Sequence, residues 1–289
     1  MRIALCQMDI AKGDTEGNRQ RAADWIARAA AQGAQLVLLP ELCTTGYTLG
    51  ERFAELAEEV PGPTSRLWSS LAAQHGVHII GGMARIAPSG LVYNSALLIG
   101  PEGVLGVYDK AVPPLYLHAN DLVGGACEEA EIFRRGDSLQ VFATVLGRIG
   151  ILICQDAVYG EFVRALALQG ADLVVQISNS PRIETRHEDD ITPLTTRVHA
   201  FDTGTAIAFC NRGGEEDYAF RGEQAVARFC VASHVCDAEG NFLALAREGG
   251  SEELLIAEVD LAASRTARWR QKFHRDWRGD LLGALVRLP

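Results

Sequence analysis

The chain has 289 residues, with 27 Lys and Arg against 37 Asp and Glu and a formal net charge of −10. This acidic balance, with a pI near 5.2, argues against a nucleic-acid surface. At 48% hydrophobic residues the chain can bury a sizeable core, as one large domain or two. Its cysteines, at 6, 43, 127, 154, 210, 230 and 236, are odd in number and form no CxxC pair, so neither a disulfide framework nor a zinc ribbon is indicated. The apolar stretch in MRIALCQMDIAKGD is too short for a signal peptide, and no segment reaches transmembrane length. A soluble, cytosolic, reduced protein is expected.

In chain order, Ile3 to Met8 reads as a first strand. Asn18 to Gln32 is an Ala-rich helix with Trp25 and Ile26 on its apolar side, and Gly33 stops it. Leu36 to Leu39 is a buried strand ended by Pro40-Glu41. Thr64 to His75 is a second helix, and Val77 to Ile80 a third strand. Ser95 to Ile99 and Val104 to Tyr108 flank Pro101-Glu102-Gly103, a hairpin signature, and Lys110 follows. Residues 111–137 lack periodicity and read as a long loop with short helical turns, a kind usually functional in a compact domain. Ile149 to Ile153 is a compact apolar run, the mark of a strand buried on both faces. Cys154 ends it, the polar turn Gln155-Asp156 follows, and Glu161 opens a helix with apolar Phe162, Val163, Leu166 and Leu168. Leu173 to Ile177 is the next buried strand.

The second half repeats the layout of the first. ARAAAQGAQLVLLP from Ala27 resembles RALALQGADLVVQIS from Arg164, and the openings RIALCQ and RIGILICQ look alike. Gln32 and Gln169 are 137 positions apart, as are Glu102 and Glu239 in the two hairpins. The expected fold is α/β, a four-layer α-β-β-α sandwich of two pseudo-equivalent halves. Two sheets would face each other with amphipathic helices outside. No Pro/Gly/Ser-rich linker divides the halves, so residues 1–263 read as one domain. Residues 264–289, basic and Trp-containing, read as an extension that packs on the domain or docks on a partner.

Three residues stand where strands end: Glu41 after LVLLP, Lys110 after VLGVYD and Cys154 after ILI. A charged residue abutting a buried strand is costly unless paired or working. Singly, Glu41 and Lys110 would pass for surface charges and Cys154 for a buried small hydrophobe. Together they supply a thiol, a general base and a cation, a complete set for acyl transfer at a carbonyl. Cys6 sits in a similar strand but lacks a helix start and reads as core; Cys43, Cys210, Cys230 and Cys236 are expected to be structural. Of the seven histidines only His118, in the loop after Lys110, is worth testing as a base. His187 with Glu188, Asp189 and Asp190 hints at a metal site, but consecutive acids point in different directions, so a solvated loop is expected.

These blocks resemble the nitrilase superfamily, the carbon–nitrogen hydrolases. The matching stretches are LLPELCTTGY from Leu38, VYDKAVPPLY from Val107 and GILICQDAVYGEFVRALALQGADLVV from Gly150. SNSP at 178–181, CNRGG at 210–214 and EELLIAEVDL at 252–261 fit later blocks. The resemblance covers nearly the whole chain and implies the nitrilase-like sandwich and a homodimer or higher homo-oligomer. It implies a catalytic set of Glu41 as base, Cys154 as nucleophile and Lys110 with the backbone N–H of Gln155 as oxyanion stabilisers. No metal or cofactor is implied. It also implies a second glutamate beside the nucleophile. Glu129 is the candidate, with Glu128 and Glu131 competing, because Ala111-Val112-Pro113-Pro114 replaces the His-Leu pair usual after the lysine.

Departures within these blocks bear on substrate. Asp156 fits amidases rather than true nitrilases, and Gln155 stands where many amidases carry Tyr. Ala157 and Val158 stand where members that grip an N-carbamoyl amino acid tend to carry Arg. Tyr47, Gln155, Asn179 and Arg182 are the expected substrate-binding residues. The implied reaction is cleavage of a small linear carboxamide through a thioester on Cys154, releasing ammonia and a carboxylic acid. The alternatives are an N-carbamoyl compound amidohydrolase and a catalytically silent interaction module. No nucleic-acid or membrane partner is expected.

Overall fold

The computed structural model describes residues 1–114, 129–180, 188–220, 223–271 and 273–281. The first half runs β1 (Arg2–Gln7), α1 (Thr15–Ala31), β2 (Leu36–Leu38), α2 (Phe53–Leu56), α3 (Pro63–His75), β3 (His78–Ile86), β4 (Val92–Gly100) and β5 (Gly103–Asp109). The short helix α4 (Glu129–Ile132) precedes the second half. This runs β6 (Val141–Thr144), β7 (Gly147–Ile153), α5 (Gly160–Leu168), β8 (Leu173–Ser178), α6 (Glu188–Thr203) and β9 (Ala206–Asn211). It continues with β10 (Glu215–Phe220), β11 (Glu223–Arg228), β12 (His234–Cys236), β13 (Phe242–Leu245), β14 (Glu253–Glu258) and α7 (Leu261–Gln271).

The strands form two six-stranded sheets, ordered β14-β1-β2-β3-β4-β5 and β13-β12-β9-β8-β7-β6, beside the separate hairpin β10-β11. In the first sheet β1, β2 and β3 are parallel, and β4, β5 and β14 join antiparallel. The second sheet repeats this with β7, β8 and β9 parallel and β12, β13 and β6 antiparallel. The expected duplication is thus a duplication of topology. Register refines it: Ile3 pairs with Leu36, and Ile149 pairs with Leu173. Counting forward from these equivalent rungs, Met8 rather than Cys6 is the counterpart of Cys154, although RIALCQ looks like ILICQ.

Strand periodicity builds the layers. Ile3, Leu5, Leu36 and Leu38 share one core with Ile149, Ile151, Leu173 and Val175 of the other sheet. The alternate residues Ala4, Cys6, Val37 and Leu39 pack with Trp25, Ile26 and Ala29 of α1 and Trp68 and Ala72 of α3. The order helix, sheet, sheet, helix follows, as expected. Helix α1 starts at Thr15 rather than Asn18 because the Asp14 carboxylate accepts a hydrogen bond from Gly17 N at 3.0 Å. Glu188 to Asp190, expected in a solvated loop, instead open α6. Among the described residues no helix is long and apolar enough to cross a membrane.

Candidate active site

Glu41 follows β2 at its carboxyl end, where α/β folds place ligands. Two features fix its backbone. Leu42 is held at φ +44°, in the left-handed region that non-glycine residues rarely adopt. Gly82 of β3 passes so close that a Cβ there would lie 2.6 Å from Glu41 Cα. Lys110 follows β5, its amide donating to Asn94 O at 2.9 Å. Cys154 follows β7 at φ +45° and opens a short 3-10 turn. A sharp, strained strand-to-helix turn of this kind lifts a side chain clear of the sheet end.

The side chains converge. Lys110 Nζ donates to Glu41 Oε1 at 2.8 Å and to both Glu129 carboxylate oxygens at 2.8 Å. Lys110 and Glu41 are wholly buried and Glu129 nearly so. Asn94 Nδ2 donates to Glu41 Oε1 at 2.7 Å and to Glu129 Oε2 at 3.2 Å. Asn179 N donates to Glu41 Oε2 at 2.8 Å. Tyr47 Oη donates to Glu129 Oε1 at 2.7 Å. One cation thus lies between two carboxylates, and each acid keeps further donors, which is what burying charge requires.

Burial pushes the Cys154 thiol up to about 12, and the negative charge of Glu41 pushes the same way. Lys110 pulls it back, Glu129 raises it, and a hydrogen bond from Ser178 lowers it. The sulfur therefore lies within electrostatic reach of all three charged groups. Glu41 is itself held above the ordinary carboxylate range, chiefly by burial; Lys110 opposes this and Glu129 adds to it. The resting thiol is protonated, and Glu41, whose charge acts on it, is a stronger base than usual.

Glu129 is turned into the site, Glu131 is exposed, and Glu128 lies outside the described residues. Tyr47, expected at the substrate, has its hydroxyl on Glu129 and its amide on Glu216. Asn179 meets Glu41 through its backbone, while its buried side-chain amide has no hydrogen-bond partner among the described residues. Gln155 is half-buried, one residue past Cys154. Arg182, His118 and His187 lie outside the described residues. Cys6, Cys43, Cys210 and Cys236 are buried and Cys230 is half-buried. Among the described residues no group of three or more His, Cys, Asp or Glu is placed to hold a metal ion.

Two groups escaped the sequence reading. Asn94 lies inside an apolar strand, and a lone amide among SALLI-type neighbours was the available signal. The second is a buried ion pair, Arg212 Nη1 to Glu216 Oε2 at 2.6 Å. Glu216 also accepts from Tyr47 N and Thr48 N, so the pair anchors the loop that brings Tyr47 to Glu129.

A buried acid–lysine–acid cluster and a protonated thiol, brought together at the carboxyl ends of parallel strands in a doubled α/β sandwich, supply the groups that cysteine-centred acyl transfer requires. The carbon–nitrogen hydrolase family profile matches residues 2–270. A nitrilase from Pyrococcus abyssi is 30% identical over 93% of this chain and 93% of its own length. An omega-amidase from Bos taurus is 33% identical over 97% and 96%. The structure of a carbon–nitrogen hydrolase from Helicobacter pylori G27 superposes with a TM-score of 0.85 at 26% identity, covering 100% of this chain and 98% of that one. The chain belongs to the carbon–nitrogen hydrolases, the nitrilase superfamily, and is an enzyme of that class.

Proposed function

We propose that the protein is an amidase that hydrolyses a small linear carboxamide through a thioester on Cys154. The observation that carries this reading is the Lys110 ammonium bonded to both Glu41 and Glu129, with the Cys154 sulfur in the same field. A thiol held near 12 is unreactive until its proton has somewhere to go. Glu41, its basicity raised by burial, takes that proton as the sulfur attacks the amide carbon. Lys110 and the Gln155 backbone N–H face the oxyanion of the tetrahedral intermediate. Glu41 returns the proton to the departing nitrogen, and ammonia leaves a thioester. Glu41 then takes a proton from water, which attacks the thioester, and the carboxylic acid leaves with the thiol restored. Glu129 orients Lys110. The omega-amidase relative and the Asp156 position favour amides over nitriles, and Ala157 and Val158 offer no arginine to an N-carbamoyl amino acid carboxylate.

The test is ammonia release from matched panels of amides, nitriles and N-carbamoyl compounds, with intact-mass detection of an acyl adduct. The expected result is turnover of amides and an adduct on wild type, both absent in Cys154→Ala. Turnover confined to nitriles or N-carbamoyl compounds overturns the amidase reading. No turnover and no adduct with any panel member favours the silent interaction module.

The homo-oligomer implied by the resemblance is also a proposal. Its support is the exposed apolar row Ile191, Leu194 and Val198 on α6. Sedimentation is expected to give a dimer or larger species for wild type and a smaller one for Leu194→Glu; a monomeric wild type refutes it.

A further inference from the structure

Asp156 is fully buried, two residues past Cys154, and the mechanism above does not use it. Its carboxylate accepts three hydrogen bonds. Oδ2 takes Tyr108 Oη at 2.7 Å and Ile153 N at 3.1 Å; Oδ1 takes Val112 N at 2.9 Å. Tyr108 and Val112 flank Lys110 by two residues on either side. Ile153 immediately precedes the nucleophile. One carboxylate therefore ties the segment carrying the cation, from the first sheet, to the strained turn carrying the sulfur, from the second. No strand pairing joins these segments, since β5 and β7 belong to different sheets. A non-glycine residue at φ +45° persists only where its surroundings over-determine it, and the Ile153 bond to Asp156 is such a constraint.

We propose that Asp156 is a positioning residue that registers the Cys154 turn against Lys110 across the two sheets. The inference rests on the amidase reading and concerns the geometry of the same site. Asparagine at this position keeps the volume but sets an NH2 group against one of three donors. Misplacement of a reacting group by about 1 Å can cost about 100-fold in rate.

The experiment compares wild type, Asp156→Asn and Tyr108→Phe on an amide that the wild type turns over, with unfolding temperature and adduct formation measured alongside. Asp156→Asn is expected to lower kcat by at least tenfold, with KM within about threefold of wild type, and to slow adduct formation by the same factor. Tyr108→Phe, which removes one donor and leaves the charge, is expected to lower kcat about threefold or more and to add less than twofold in the Asp156→Asn background. Wild-type kcat in folded Asp156→Asn overturns the proposal. So does loss of activity explained wholly by a smaller folded fraction. If Asp156→Asn fails to fold, wild-type kcat in Tyr108→Phe overturns it, and a selective kcat loss there upholds it. An inactive wild type instead defeats the amidase reading.

Discussion

Asn94, the third residue of β4, donates to both carboxylates of the site. Asn94→Ala leaves two buried acids sharing fewer donors, at a cost of about 1–3 kcal/mol in stability for the lost satisfaction. Denaturant titration is expected to show that loss, with kcat falling at least tenfold. The acid limb of the pH–rate profile reports the base. Because Glu41 is raised by burial and by Glu129, the limb in kcat/KM is expected above the ordinary glutamate value of about 4.3. Glu129→Gln removes one raising charge, so the limb is expected to move to lower pH; a limb that stays put argues against Glu41 as the base. His234 gives a stability counterpart. It is stacked on Phe209, its Nδ1 lies 2.9 Å from Ala232 O, and its buried Nε2 has no partner among the described residues. Burial pulls it down to about 4. The unfolded chain gains a proton near 6.5 and the folded chain does not until about 4, so this contribution is present above 6.5 and lost as pH falls through that window. Between pH 7 and 5 wild type is expected to lose about 2 kcal/mol more than His234→Leu in thermal unfolding. Glu41, Lys110 and Cys154 were legible because each ends an apolar run. Asn94 was not, because it precedes the apolar run read from Ser95 and joins β4 only through pairing with β3, and the Arg212–Glu216 pair joins Tyr47 only through the fold.

At the scale of elements, strands of the parallel core were legible because burial on both faces leaves unbroken apolar runs, as in Leu36–Leu38 and Leu173–Ser178. Helix α6 was not, because its exposed face carries Ile191, Leu194 and Val198 and blurs the amphipathic pattern. Strand β3 was read short because Gly81-Gly82 interrupts its apolar pattern. Those glycines are where Trp68 and the Glu41 backbone press on the sheet. Gly82→Ala is expected to displace Glu41, lowering kcat by roughly 100-fold while the far-ultraviolet circular dichroism is kept. Near-wild-type kcat would mean that the Glu41 turn tolerates a different seat.

At the scale of the molecule, the duplication was legible from paired spacings and its division of labour from the three strand ends, but the closure of the first sheet was not. The acid and cation come from the first half and the sulfur from the second, while β14 is placed on β1 by pairing that no local pattern announces. The first sheet is closed by β14, which pairs antiparallel with β1 from Arg2↔Glu258 to Gln7↔Glu253. In vectorial synthesis the earliest strand to leave the ribosome therefore waits for one made more than two hundred residues later. Until then the growing chain carries an unzipped border, the kind of surface that recruits wrong neighbours. Interrupted translation products ending before residue 253 are expected to accumulate in the pellet, and a peptide spanning 253–258 supplied in trans is expected to return part of them to the supernatant.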